Sequence, residues 1–468
     1  MLKKVNEKVE RKLDGIRIGD AKFPAPFASG LEYATPARGT WNIVHTGMLI
    51  PEAHEIFVCA ASCLRGVVLT AAEMHAEHRF STVAIREHNL LDGDMEELVI
   101  EGVSDIIEKL PKRPPAVLVY TSCVHHFAGC DLDMIYEELR RRFPDIDFTD
   151  CYMNPIMRKS GLTPDQLMRS RLYMLLKERP KRERTVAIIG NDLPTRESSE
   201  LVELLKLGGF KIHEITSCKT YEEYQEMAES EYYISYNAAA AAGGNMLSER
   251  LGGTHLYVPF SFDYEEIESG LRKVADALGI SLDGDSEEKS SVSIVEENVS
   301  AGESVSWTER LAKRRNACDQ ALKETYELIG KTPITIDYSY CPRPLGLARM
   351  LLDAGFAVEK VYVDSISGED KKDFLYLKEQ YPELLLYPTV HAGMRFMAKK
   401  GPGNGLAIGQ KAAYFENTNH FVNVVEGGGM LGYDAVFHTL KLMREAYLEE
   451  KDMRSLIQIK GMGCEGCV

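Results

Sequence analysis

The sequence holds no run of some eighteen apolar residues, the length a helix needs to cross a bilayer, so no membrane-spanning helix is expected. It also lacks any surplus of positive charge: Lys and Arg number 55 against 71 Asp and Glu, a formal net charge of -16. Nucleic acid and anionic membranes are bound through clustered basic residues, and the short run Arg140-Arg141-Arg142 reads as a solvated helix face, so neither partner is expected. No GxxxxGK[ST] occurs, and Gly401-Pro402-Gly403-Asn404-Gly405 completes no GxGxxG, so the chain is not expected to hydrolyse ATP itself. GxSxG and HExxH are missing too, which removes the common hydrolase and metalloprotease signatures. The first residues, Met1 to Leu13, carry Lys3 and Lys4 without the continuous apolar stretch of a secretion signal. Leu2, Val5, Val9 and Leu13 recur there at helical spacing, which predicts a short amphipathic helix and a cytoplasmic protein.

What is present is ordinary globular material: 468 residues, 44% hydrophobic and 27% charged, enough for two to four domains at roughly 100–200 residues each. One pattern recurs, an apolar β-branched run, a polar or Gly/Pro turn, then a helical stretch. Thr185 to Gly190, the helix around Glu200 to Leu205, the stop at Gly208-Gly209 and the strand from Phe210 to Ile215 make one βαβ unit. A second runs from Pro333 to Tyr338, turns at Cys341-Pro342-Arg343-Pro344, continues as a helix to Gly355 and returns in Val358 to Val363. A third joins the strand Ala116 to Tyr120, through a Cys-containing turn, to the helix Leu132 to Arg142. Such units build parallel doubly wound sheets whose ligands lie beyond the carboxyl ends of the strands, where the Cys123 turn falls. The stretch from Asp283 to Glu303 is acidic, Ser-rich and nearly free of aromatics, as an exposed linker is. The expected division is 1–180, 181–282, a linker and helix at 283–330, 331–450, and a tail at 451–468.

Ten cysteines without a secretion signal point to reduced thiols serving as metal ligands, nucleophiles or core residues. Two cysteine-bearing segments stand out, Val58-Cys59-Ala60-Ala61-Ser62-Cys63 and Ser122-Cys123-Val124-His125-His126-Phe127-Ala128-Gly129-Cys130. Thiolates are soft ligands suited to iron–sulfur clusters, and turns of small residues let backbone N–H groups approach cluster sulfur, so the segments are candidate halves of one site. The alternative is burial, since cysteine is among the most buried residue types. Zinc is disfavoured, because these cysteines and His125/His126 form no paired CxxC modules. A CxxC does occur at Cys464-Glu465-Gly466-Cys467, as a mobile end, a redox pair or half of a metal site.

These residues, in this order, resemble the nitrogenase component 1 superfamily. The anchors are His54-Glu55-Ile56-Phe57-Val58-Cys59, Ser122-Cys123 with Gly129-Cys130-Asp131, Arg343-Pro344-Leu345-Gly346-Leu347, and Gly432-Tyr433-Asp434-Ala435. The resemblance implies three Rossmann-like doubly wound parallel-sheet domains with a metal site between them, in a homodimer or with a paralogous component 1 subunit. It further implies electrons arriving from a separate ATP-dependent [4Fe-4S] reductase and passing to an unidentified substrate bound between domains. The alternative function is a non-catalytic scaffold for metallocofactor assembly.

Departures narrow this. The family's earlier cluster cysteine would fall near Tyr33, so a single [4Fe-4S] cluster is expected rather than an eight-iron one, with Cys59 and Cys123 plus Cys63, Cys130 or residues from another subunit as candidate ligands. The cysteine and histidine that hold the molybdenum–iron cofactor would fall near Tyr236 and Val422, with His420 offset by two, which argues against dinitrogen as substrate. A second metallocofactor, with Cys218 as a possible ligand, remains open. Arg343 and Lys411 are candidates for binding an anionic substrate or for structural roles. His125 and His126 are candidate proton donors or structural residues.

Overall fold

The computed structural model describes residues 13–28, 30, 32–33, 35, 43–153, 162–282, 306–397, 401 and 403–458. All but Leu13 of the helix expected from Met1 to Leu13, the whole of the 283–303 stretch and the Cys464/Cys467 pair lie outside the described residues. The chain divides into two compact units: Trp41–Pro194 with Gly209–Pro259, and Met1–Thr40 with Thr195–Gly208 and Phe260–Val468.

The first described strand, β1 (Ile16–Arg17), pairs antiparallel with a strand about 370 residues later and is considered with it below. The first unit holds two four-stranded sheets, parallel throughout. In one, β2 (His54–Ala60), β3 (Phe80–Ile85), β4 (Ala116–Ser122) and β5 (Asp147–Met153) lie in the order β3-β2-β4-β5. Every residue of β2 up to Cys59, and all of β4, is buried, as central parallel strands covered on both faces must be. The two-residue period sorts their side chains: Ile56, Val58, Val117 and Val119 enter one core with Ile135 and Leu139 of the helix Leu132–Arg142. Phe57, Cys59, Leu118 and Tyr120 enter another. That second core also holds Ala187, Ile189, Tyr233 and Leu247 from around the unit's other sheet, so Cys59 faces the unit's interior.

The other sheet comprises β6 (Arg182–Ile188), β7 (Lys211–Glu214), β8 (Ser230–Ser235) and β9 (Thr254–Tyr257) in the order β7-β6-β8-β9. The strand expected to continue through Ile215 stops at Glu214, where a 3-10 turn, Ile215–Ser217, takes over.

In the second unit, β10 (Ile334–Asp337), β11 (Val358–Tyr362), β12 (Leu385–Tyr387), β13 (Leu406–Ile408) and β14 (Phe421–Val422) form a sheet in the order β1-β12-β11-β10-β13-β14. Its core strands are parallel; only β1 runs against its neighbour. The crossovers leave β10 in opposite directions, so the switch point lies between β10 and β13. There Gly409, at φ +112, is required twice over: a side chain would strain its backbone and would run into the Asp337 carboxylate.

Candidate functional site

Cys59 is the next-to-last residue of β2, and the helix Ala61–Glu73 follows at once with Cys63 in its first turn. No side chain caps that helix, which leaves its first amide N–H groups available to an anionic partner. On the neighbouring strand, β4 ends at Ser122 and the short helix Cys123–Ala128 begins with Cys123 itself. Because β2 and β4 are adjacent and parallel, their two carboxyl-end turns stand side by side. Cys59 is fully buried, Cys123 half-buried and Cys63 exposed. Burial pushes the Cys59 thiol up to about 12, and the nearby Cys63 and Cys123 sulfurs add to it. The fold therefore gathers Cys59, Cys63 and Cys123.

Cys130 is not gathered with them. It lies past the C-cap Gly129, packs against the Ile56/Val58 core on the opposite face of the sheet, and has its thiol raised by burial and by Glu96. Among the described residues no three His, Cys, Asp or Glu side chains are arranged as a group that could hold a metal ion. The donor set still suits an iron–sulfur cluster in kind: three thiols from two strand-to-helix turns, backed by uncapped amides. The eight described cysteines are all free.

His125 closes the Cys123 turn. The Ser122 N–H donates to its Nδ1 at 3.1 Å, which assigns the remaining ring proton to Nε2, and that buried atom has no hydrogen-bond partner among the described residues. Burial lowers the ring's basicity, so the imidazole is a neutral donor. His126 is exposed.

Behind Cys59 stands a group that the sequence reading passed over. The Phe57 and Tyr120 rings stack at 4.1 Å, and the Tyr120 hydroxyl donates to the Ile43 carbonyl at 3.1 Å. Beside that hydroxyl lies the Glu55 carboxyl, fully buried and raised well above the carboxylate range by burial, against the opposing pull of Arg79. Arg79 is itself committed to the carbonyls of Met48, Ile50 and Ala53. A lone acid inside an otherwise apolar strand was the available signal.

The remaining candidates have local partners. Cys218 donates its thiol proton to the Glu214 carbonyl at 3.3 Å and is pushed up to about 12, chiefly by burial. Tyr33 lies in the second unit with its hydroxyl 3.2 Å from that of Tyr414, and Tyr236 and Val422 are buried. The His420 Nδ1 is 3.0 Å from the Ala446 carbonyl. Arg343 is consumed: Nη1 donates to Glu266 at 2.5 Å and to the Phe260 carbonyl at 3.3 Å, while Nη2 donates to Asp373 at 2.5 Å. No fork remains for a substrate. The Lys411 ammonium is buried and donates to the hydroxyls of Tyr338 at 2.8 Å and Thr389 at 3.2 Å.

A family model described as Nitrogenase component 1 type Oxidoreductase matches residues 44–430. Among solved structures, "Nitrogenase Cp1 at pH 6.5" superposes with a TM-score of 0.62 at 13% identity, covering 90% of this chain and 94% of that one. "Nitrogenase Cp1 at pH 5" superposes with a TM-score of 0.58 at 12% identity, covering 92% and 94%. No curated protein matches the sequence.

Proposed function

Because the chain belongs to the nitrogenase component 1 type oxidoreductases, we propose that it is an electron-accepting reductase component built around an iron–sulfur site at Cys59, Cys63 and Cys123. The observation that carries this reading is the convergence of those three thiols at adjacent carboxyl-end turns of β2 and β4. A cluster bound there, with [4Fe-4S] as the expected type, supplies a one-electron relay whose potential its protein surroundings tune. Cys59, at zero exposure, keeps water from one edge, and the stacked Phe57 and Tyr120 rings back it with apolar surface. The neutral His125 keeps a proton on Nε2, a donor of the kind that tunes sulfur.

The fourth ligand belongs to a second subunit, either another copy of this chain or a paralogue. The helices leaving β2, β3 and β4 support this by presenting Val68, Leu69, Leu90, Leu91 (86% exposed) and Phe127 (71% exposed) to solvent. Electrons come from a separate ATP-dependent [4Fe-4S] reductase, since this sequence has no P-loop of its own. Cys130 is a core residue in this scheme.

Anaerobic reconstitution followed by iron and sulfide analysis tests the reading. Wild-type protein is expected to hold iron and sulfide, and Cys59→Ala and Cys123→Ala to lose most of both. Iron-free wild type, or full iron in both variants, overturns it. The exposed Cys63 corner favours one rival, a scaffold that passes its cluster on. Cluster transfer to an acceptor protein without turnover would select that rival.

A further inference from the structure

In the second unit a cavity of about 840 Å³ opens at the amino ends of β13 and β14, against the carboxyl end of the helix Tyr433–Leu448. Its lining includes the glycine-rich loop at Gly403 and Gly405, His420, Glu450, Met453 and Arg454. A carbonyl oxygen only accepts, so the 3.0 Å contact of His420 Nδ1 with the Ala446 oxygen puts the proton of the neutral ring on Nδ1 and leaves Nε2 bare. Metal-bound imidazoles are held in this way. Nε2 stands 3.9 Å from Glu450 Oε1, too far for a hydrogen bond but within the span of two ligands that share one ion. The carboxyl end of a helix favours a cation as well. Asp452 is committed elsewhere, because its Oδ1 accepts the Arg454 and Ser455 amides. Among the described residues no third His, Cys, Asp or Glu completes a metal-holding group with His420 and Glu450.

We propose that this cavity is one half of a zinc site whose other half is the Cys464-Glu465-Gly466-Cys467 segment of the same chain, with His420 Nε2, Glu450 and the two thiolates as the four ligands. The described residues end at Gln458, one helical turn beyond Arg454 at the cavity. That turn is pinned, since Met453 and Ile457 are buried in a core with Ala413 and Phe421. Cys464 follows Gln458 by six residues, a reach of at most about 20 Å, against about 6 Å for the turn that must be retraced. Tethering also keeps the thiols at a high effective concentration near the cavity, which favours this chain's own cysteines over those of a second copy. Two thiolates at CxxC spacing, with an imidazole and a carboxylate, make the four-coordinate donor set that suits zinc. On binding, both thiols give their protons to solvent.

The test is titration of the full chain with Zn²⁺, anaerobic and with thiols reduced, followed by iodoacetamide labelling read peptide by peptide. In wild type, zinc is expected to shield Cys464 and Cys467 from alkylation, and a chelator to expose them again. Reading each peptide separates this ion from any zinc taken up at Cys59, Cys63 and Cys123. His420→Ala should raise the zinc concentration needed for shielding at least about tenfold. Glu450→Ala, a change at a side chain 71% exposed, should raise it about tenfold and serves if the histidine variant fails to fold. Unshielded Cys464 and Cys467 in zinc-loaded wild type overturn the site. So does shielding at the wild-type zinc concentration in His420→Ala or Glu450→Ala, which would put the thiols on another partner.

Discussion

At the residue scale, burial decides what each titratable side chain can do. Glu55 sits fully buried with its carboxyl raised well above the ordinary range. The sign follows from proton counting: above about pH 4.5 the unfolded chain has lost this proton while the folded chain keeps it, so Glu55 makes stability fall as pH rises, by up to about 1.4 kcal/mol per pH unit. Glu55→Gln is expected to flatten the fall of urea-unfolding stability as pH rises above about 5. An unchanged slope would mean that the acid ionises in place. Among the thiols, Cys63→Ala should lower the iron content of reconstituted protein, whereas Cys130→Ala, which removes a thiol from the opposite core, should leave it intact. Metal analysis of the two variants side by side separates ligand from core cysteine.

At the scale of elements, strand-to-helix turns carry both the candidate thiols and the strain. Arg343 precedes the helix Pro344–Asp353, and Asp370 accepts the Leu345 and Gly346 amides at that helix start. Removing the guanidinium leaves buried Asp370 without its guanidinium neighbour and Asp373 with Arg349 alone, so Arg343→Ala should cost about 3–5 kcal/mol in urea denaturation. A loss of substrate affinity at unchanged stability would instead return Arg343 to a binding role. Gly409→Ala should cost about 2–4 kcal/mol by thermal melting, because it adds left-handed strain to a collision with Asp337.

At the scale of the whole molecule, the exposed apolar side chains beside the thiol turns matter most. A Leu91→Asp, Phe127→Asp double variant is expected to shift the protein toward monomer in sedimentation velocity while keeping the wild-type circular-dichroism spectrum, because both side chains are mostly exposed within the chain. Unaltered association would place the subunit contact elsewhere.

Much of this was legible in the sequence alone. The parallel α/β class, the βαβ units around 185–215 and 334–362 and the turns at Cys59 and Cys123 follow from local patterns: apolar runs of strand length, Gly stops and helical periodicity. Those patterns depend only on near neighbours in the chain. The pairing of β1 with β12 could not be read that way, since two residues carry no periodicity and their partner lies far off in sequence. Nor could the sorting of the cysteines. Cys63 follows Cys59 by four residues and Cys130 follows Cys123 by seven, yet one helix start turns Cys63 toward Cys59 and a left-handed Gly129 carries Cys130 over to the opposite core. Which acids end up buried and neutral, and which guanidinium is spent on neighbours, is likewise settled by side chains that meet from distant segments, and only tertiary packing brings those together.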